Sequence, residues 1–125
     1  SGLKTSFLYF LRDRLKDDPE FIEKYKNDLC ASIQKTIIDI LVDKLLLAIK
    51  DTKIKNIAIA GGVAANTGLR EKIIEISKSL KLNYFIPEIQ YTTDNAAMIA
   101  LTGYYKYKGG FFSDQSITPL ARLDL

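Results

Sequence analysis

The apolar residues of this chain recur with two different spacings, one typical of helices and one typical of strands. Because the two spacings follow each other along the chain, they predict helices that alternate with strands. Short segments rich in β-branched or aromatic residues predict buried strands at residues 54–60 and 83–86. Longer segments whose apolar residues lie three or four apart predict helices. These are residues 3–16, 20–50, a segment whose core face is Leu69, Ile73, Ile76 and Leu80, and residues 94–108.

The ends of these segments carry recognisable signals. Ser1 is a plausible N-cap for the first helix, and Pro19 ends it because the residue before a proline avoids helical angles. The second helix is predicted to bend near residues 27–28 and to be apolar on nearly all sides over residues 37–49. We therefore expect a central helix that is contacted from several directions. Gly109 and Gly110 end the last helix.

Strands that alternate with helices indicate an α/β fold with a parallel sheet. Two strands do not make a stable sheet. We therefore expect that part of the architecture is missing from this chain. We also expect the chain alone to self-associate through the exposed edge of its sheet or through the apolar faces beside that edge.

Composition narrows the possible chemistry. The chain has 125 residues, 47% of them hydrophobic and 26% charged, which suits one globular domain. It has no apolar run long enough to span a membrane. It has no histidine, which argues against a Ser-His-Asp triad, a Cys-His pair or a histidine metal site within the chain. Its single cysteine, Cys30, is expected to be a small packing residue and fits a cytoplasmic location.

The net charge of +3 is mild. Lys106 and Lys108 alternate with Tyr104, Tyr105 and Tyr107. This pattern is compatible with nucleic-acid binding, but a solvated helix face with half-buried tyrosines explains it more simply.

Two blocks contain residues that could carry chemistry. Gly61 and Gly62 separate a strand from a helix, so they form either a tight turn or a place where backbone approaches a ligand. Asn66 is a helix cap or a nucleotide contact. Asp94 is a helix cap, with Thr93 as a rival, or a metal ligand. No residue is identified as catalytic with certainty.

Three segments in this order, residues 1–5 (SGLKT), 61–66 (GGVAAN) and 93–100 (TDNAAMIA), resemble the tRNA adenosine threonylcarbamoyltransferases, whose older name is glycoprotease. The resemblance spans residues 1–117 and leaves an irregular tail at residues 118–125. It implies the C-terminal part of an actin-like, Hsp70-like and sugar-kinase-like ATPase lobe of ribonuclease H type, cut just before SGLKT. Family members usually carry a bulkier residue where Gly68 stands.

The resemblance also implies a function. The complete enzyme would transfer a threonylcarbamoyl group from its adenylate to N6 of an adenosine next to the tRNA anticodon, together with partner proteins of the same pathway. Gly61, Gly62 and Asn66 would bind the adenylate. Asp94 would be one ligand of a divalent metal, iron or zinc, whose histidine ligands belong to the other half of the protein. This chain alone is therefore expected to be inactive.

Two alternatives remain at this point. One is another carbamoyltransferase or a kinase of the same superfamily, and the other is a non-catalytic interaction domain.

Overall fold

The computed structural model describes residues 2–120. The helices and strands are α1 (Leu3–Asp17), α2 (Phe21–Thr52), β1 (Asn56–Ala58), α3 (Thr67–Leu80), β2 (Asn83–Phe85) and α4 (Ala96–Lys108). The order of predicted elements is thus confirmed, although both strands are shorter than expected. Gly2 occupies the N-cap position of α1. Ser1, the expected cap, and residues 121–125 of the expected tail lie outside the described residues.

The long helix α2 changes direction near its start. Tyr25 has non-helical angles (φ −116°, ψ 15°), which places the bend two residues before the expected position at residues 27–28. At the other end, Lys53 adopts the left-handed conformation (φ 57°), and its N–H donates to the Ile49 carbonyl oxygen at 2.8 Å. This C-cap turns the chain from α2 into β1.

The two strands pair in parallel, and Asn56, Ile57 and Ala58 lie opposite Asn83, Tyr84 and Phe85. The Asn83 N–H donates to the Lys55 carbonyl oxygen at 2.8 Å, and the Ile59 N–H donates to that of Phe85 at 3.1 Å. Helix α3 connects the strands. The predicted α/β class with a small parallel sheet is therefore confirmed.

The core lies where α3 packs on the sheet and on α2. Ile57, Leu69 and Ile73 are buried, and Ile38, Leu45, Ile49, Ile59, Leu82 and Ile86 pack around them. Leu80 was expected on this core face, but it is 49% exposed. Ser77 is buried on α3 instead, with its hydroxyl donating to the Ile73 carbonyl oxygen at 2.7 Å.

Many large apolar side chains are exposed. Helices α1 and α3 both pack on α2, as expected of a helix contacted from several directions, but Ile37, Ile40 and Leu47 are still 41–51% exposed. On α4, Ile99 is 76% exposed. Cys30 is also exposed, which corrects its expected packing role. The exposed faces of α2 and α4 have the apolar composition of a protein interior, but no other segment within residues 2–120 covers them.

Within residues 2–120, no helix is both long and apolar enough to cross a bilayer.

The exposed apolar faces and the unpaired strand edges generate a prediction for the isolated chain. We expect it to self-associate, because burying apolar surface between copies is favourable and an open strand edge can pair with another chain. Sedimentation velocity over a concentration series measures this. A monomer at all concentrations that also melts cooperatively would show that residues 1–125 complete their own core.

Candidate functional site

The carboxyl ends of β1 and β2 meet at one edge of the sheet because the strands are parallel. A groove of about 640 Å³ lies at this edge. Residues 58–61 and 84–87, together with Tyr91, Thr92 and Met98, line it. We call it the strand-edge groove. Ligands of open α/β sheets bind at this kind of edge.

Gly61 lines the strand-edge groove and has a backbone conformation that only glycine adopts readily. Its angles are φ 80° and ψ 177°, a region in which a Cβ is strongly disfavoured. The expected tight turn is therefore confirmed, and its backbone angles account for the glycine. Crowding does not, since a Cβ built on Gly61 meets no atom of the described residues within 4 Å.

Gly62 opens a short 3₁₀ turn, Gly62–Ala65, and its φ is not in the left-handed region. A Cβ built on this residue also meets no atom of the described part of the chain within 4 Å. Neither backbone strain nor crowding within residues 2–120 therefore explains a glycine here. Open space beside a small residue is what close approach of a ligand or of another segment requires.

Asn66 is the N-cap of α3, as expected. Its Oδ1 accepts a hydrogen bond from the Leu69 N–H at 3.0 Å. No hydrogen bond joins its Nδ2 to another described residue, so this donor is free for a ligand. Asn66 does not line the strand-edge groove. It lines a separate groove of about 270 Å³ between α2 and α3, next to Cys30 and Val63.

The first turn of α3 lies close to α2 at Gly68. A Cβ on this glycine would be 3.0 Å from the Ile38 Cδ1 and 3.2 Å from the Gln34 Nε2. The absence of a side chain therefore permits this close approach. The turn itself is regular and capped by Asn66.

Asp94 is exposed and does not cap α4. The cap is Asn95, whose Oδ1 accepts from the Met98 N–H at 3.1 Å. The expectation that Asp94 or Thr93 is the cap is therefore wrong by one or two residues. Asn and Asp have similar N-cap preferences, so the choice between neighbours depends on where the helix begins.

No cluster of three or more His, Cys, Asp or Glu side chains occurs in the described part of the chain. Asp94 thus offers one carboxylate, and the whole sequence contains no histidine to join it. One carboxylate does not hold a transition metal by itself. Among residues 2–120, no hydrogen bond or ion pair of the Asp94 side chain accounts for its position.

Sequence reasoning missed two residues that organise the loops around the groove. The Arg70 guanidinium donates to the carbonyl oxygens of Ala64 at 2.7 Å and of Pro87 at 2.6 Å. Thr92 is only 3% exposed, and its hydroxyl donates to the Ile89 carbonyl oxygen at 2.7 Å. Both side chains bond to backbone atoms. Arg70 and Pro87 are 17 positions apart, and a contact over that separation leaves no local pattern in the sequence.

The basic and aromatic stretch at the end of α4 is exposed. Tyr104 is 51% exposed and thus half-buried as expected, whereas Tyr105 and Tyr107, at 66% and 68%, are more exposed than expected. The Lys108 ammonium lies 5.0 Å from the centre of the Tyr104 ring, a cation–π contact that occupies one of the lysines.

A family model described as tRNA N6-adenosine threonylcarbamoyltransferase matches residues 1–101. The chain is 57% identical over 123 residues to the Porphyromonas gingivalis protein of that name, covering 98% of this chain and 36% of the relative. The Phocaeicola vulgatus protein is 62% identical over 107 residues, covering 86% and 32%, and that of Thermosipho africanus is 41% identical over 125 residues, covering 100% and 36%.

The chain therefore spans about a third of the length of these curated relatives. The matched segment includes the 3₁₀ turn, the cap of α3, the groove and the start of α4. This chain belongs to the tRNA N6-adenosine threonylcarbamoyltransferase family.

Proposed function

We propose that residues 1–125 are the C-terminal part of an enzyme that transfers a threonylcarbamoyl group from its adenylate to N6 of an adenosine next to the tRNA anticodon. The observation that carries this proposal is the family match over residues 1–101, with 57% identity to a relative of that name. Such an enzyme would work in the cytoplasm, with tRNA and with partner proteins of the same modification pathway.

The proposed architecture is an actin-like, Hsp70-like lobe of ribonuclease H type. The β1–α3–β2 unit supports it, because it supplies parallel strands joined by a helix. The exposed apolar faces of α2 and α4 also support it, since a larger lobe would cover them. Further strands of that lobe would extend the sheet beyond its present two strands.

In this enzyme, Gly61, Gly62 and Asn66 would hold the adenylate, which would extend from the strand-edge groove beside Gly61 to the smaller groove beside Asn66. The open space at both glycines lets a phosphate or sugar approach the backbone. The N-terminus of α3 adds free N–H groups and a partial positive charge, which favour an anionic group. The free Nδ2 of Asn66 can donate to an oxygen of the substrate. These residues would orient the adenylate for attack by the adenosine amine.

Asp94 would be one ligand of a divalent metal, iron or zinc. The described residues do not form a metal site by themselves, so histidines from the rest of the enzyme would complete it. Two features support the assignment, namely the exposure of Asp94 and the fact that Asn95 takes over the capping of α4. A bound divalent metal would polarise phosphate or carbonyl oxygens of the substrate.

The proposed activity can be tested with the complete protein, by which we mean the longer protein that carries these residues as its C-terminal part. A chimera that joins this chain to the rest of the Porphyromonas gingivalis relative serves the same purpose. We expect both proteins to incorporate labelled threonine from threonylcarbamoyl-adenylate into unmodified tRNA. Residues 1–125 alone should incorporate none, since they lack most of the metal ligands. Transfer of a phosphoryl group from ATP, with no incorporation of threonine, would favour a kinase instead.

Two substitutions at Asn66 separate capping from substrate binding. Asn66→Ala removes the cap acceptor and the free amide, so it should lower the free energy of unfolding by about 1 kcal/mol and weaken adenylate binding by about 1–3 kcal/mol. Asn66→Asp keeps an acceptor for the Leu69 N–H, so it should retain stability and still lose affinity. Calorimetry and denaturant unfolding of the complete protein measure both quantities. Wild-type affinity in Asn66→Asp would limit Asn66 to its capping role.

Asp94 and Asn95 form a matched pair for testing the metal. In the complete protein, Asp94→Asn should lose most of the bound metal while α4 stays capped. Asn95→Ala should cost about 1 kcal/mol of stability, because the Met98 N–H loses its acceptor, and should keep the metal. Plasma emission spectrometry gives the metal content. An unchanged ratio of metal to protein in Asp94→Asn would remove Asp94 from the site.

A further inference from the structure

Arg70 connects the two loops that follow the strands. It extends from the first turn of α3, and its Nη1 donates to the Ala64 carbonyl oxygen at 2.7 Å. Its Nη2 donates to the Pro87 carbonyl oxygen at 2.6 Å. Ala64 belongs to the loop after β1, and Pro87 lies in the loop after β2. One guanidinium thus bridges the backbone of two loops that are far apart in sequence.

The bridge reaches both walls of the strand-edge groove. Pro87 lines the groove directly. Ala64 connects to the opposite wall, because its N–H donates to the carbonyl oxygen of Gly61, which also lines the groove, at 2.9 Å. Among the side chains of residues 2–120, Arg70 is the one that hydrogen-bonds to the backbone of both loops, and it adds to the strand pairing that already joins the two walls.

Arg70 has no ion-pair partner in the described part of the chain, where the salt bridges all involve lysines. Its charge is therefore held by two neutral carbonyl oxygens. Hydrogen bonds from a charged donor are about twice as strong as neutral ones. A half-buried cation without a carboxylate also favours negative charge nearby, as the phosphate of an adenylate would provide.

We propose that Arg70 is a positioning residue that fixes the separation of the groove walls and thereby sets the affinity for the adenylate. This inference rests on the proposed function. The planar fork of arginine is required because it presents two N–H groups in fixed directions to two carbonyl oxygens. A lysine ammonium is a single point charge and cannot reproduce that geometry.

The test uses the complete protein with Arg70→Met, Arg70→Lys and the control Lys72→Met. Lys72 lies on the same helix and pairs with Glu75 at 2.9 Å, so its replacement removes a similar charge without touching either loop. Steady-state kinetics then gives KM for threonylcarbamoyl-adenylate, KM for tRNA and kcat. Hydrogen exchange without ligand reports on the Ala64 and Thr92 amides, which are bonded within the two loops.

We expect Arg70→Met to raise KM for the adenylate about tenfold, because the substrate must then order the two loops that the guanidinium holds in the wild type. KM for tRNA should stay unchanged, and Arg70→Lys should fall between wild type and Arg70→Met. Exchange at Ala64 and Thr92 should become faster in Arg70→Met and stay at the wild-type rate in Lys72→Met. A purely structural role would lower the active fraction, and hence kcat, without selectively raising this KM.

An adenylate KM within about twofold of wild type in Arg70→Met would overturn the inference, as would an equal rise in both KM values. If Arg70→Met does not fold, Arg70→Lys decides by the same criteria. If the wild-type protein does not use the adenylate at all, the proposed function fails. In that case the hydrogen-exchange rates still test whether Arg70 holds the loops. Unchanged rates at Ala64 and Thr92 in Arg70→Met would show that it does not.

Discussion

The parallel pairing of β1 with β2 is the constraint on which the rest of the structure depends. Parallel strands place their carboxyl ends at one edge, so the loops after residues 58 and 85 become neighbours although 27 residues of sequence separate paired positions such as Asn56 and Asn83. Helix α3 makes this pairing possible, because its buried face covers the sheet and returns the chain to its starting end. The groove, the Gly61 turn and the Arg70 bridge all exist only because this register holds.

Local patterns predicted the elements because the causes of those elements are local. The apolar spacing of Leu69, Ile73 and Ile76 identified the core face of α3. Its cap could be identified as Asn66, because an asparagine just before a helix accepts a hydrogen bond from an N–H of the first turn. The same reasoning was wrong at α4. Thr93, Asp94 and Asn95 are all acceptable caps, and only the backbone angles decide among them.

What depends on distant residues could not be predicted from one sequence. The Arg70 contact with Pro87 requires the strand register to be known first. The exposure of Ile40, Leu47 and Ile99 contradicts their apolar character, because burial depends on neighbours and residues 2–120 do not supply them. The pattern of strand, turn and helix made Gly62 and Asp94 candidates, and the family resemblance then implied their roles. Within residues 2–120, the fold shows neither crowding at Gly62 nor capping of α4 by Asp94.

In the enzyme that we propose, the site would be divided between this chain and the rest of the protein. This chain supplies features that depend on backbone geometry, namely a glycine turn with φ of 80°, a helix N-terminus and a guanidinium bonded to carbonyl oxygens. Such features bind phosphate and sugar without titrating near neutral pH, and the sequence contains no histidine. Metal binding needs ligands of another kind, and in the proposed enzyme most of these would lie on another segment. A substrate bound between the two parts would couple their closure to the assembly of the metal site, because neither part is complete alone.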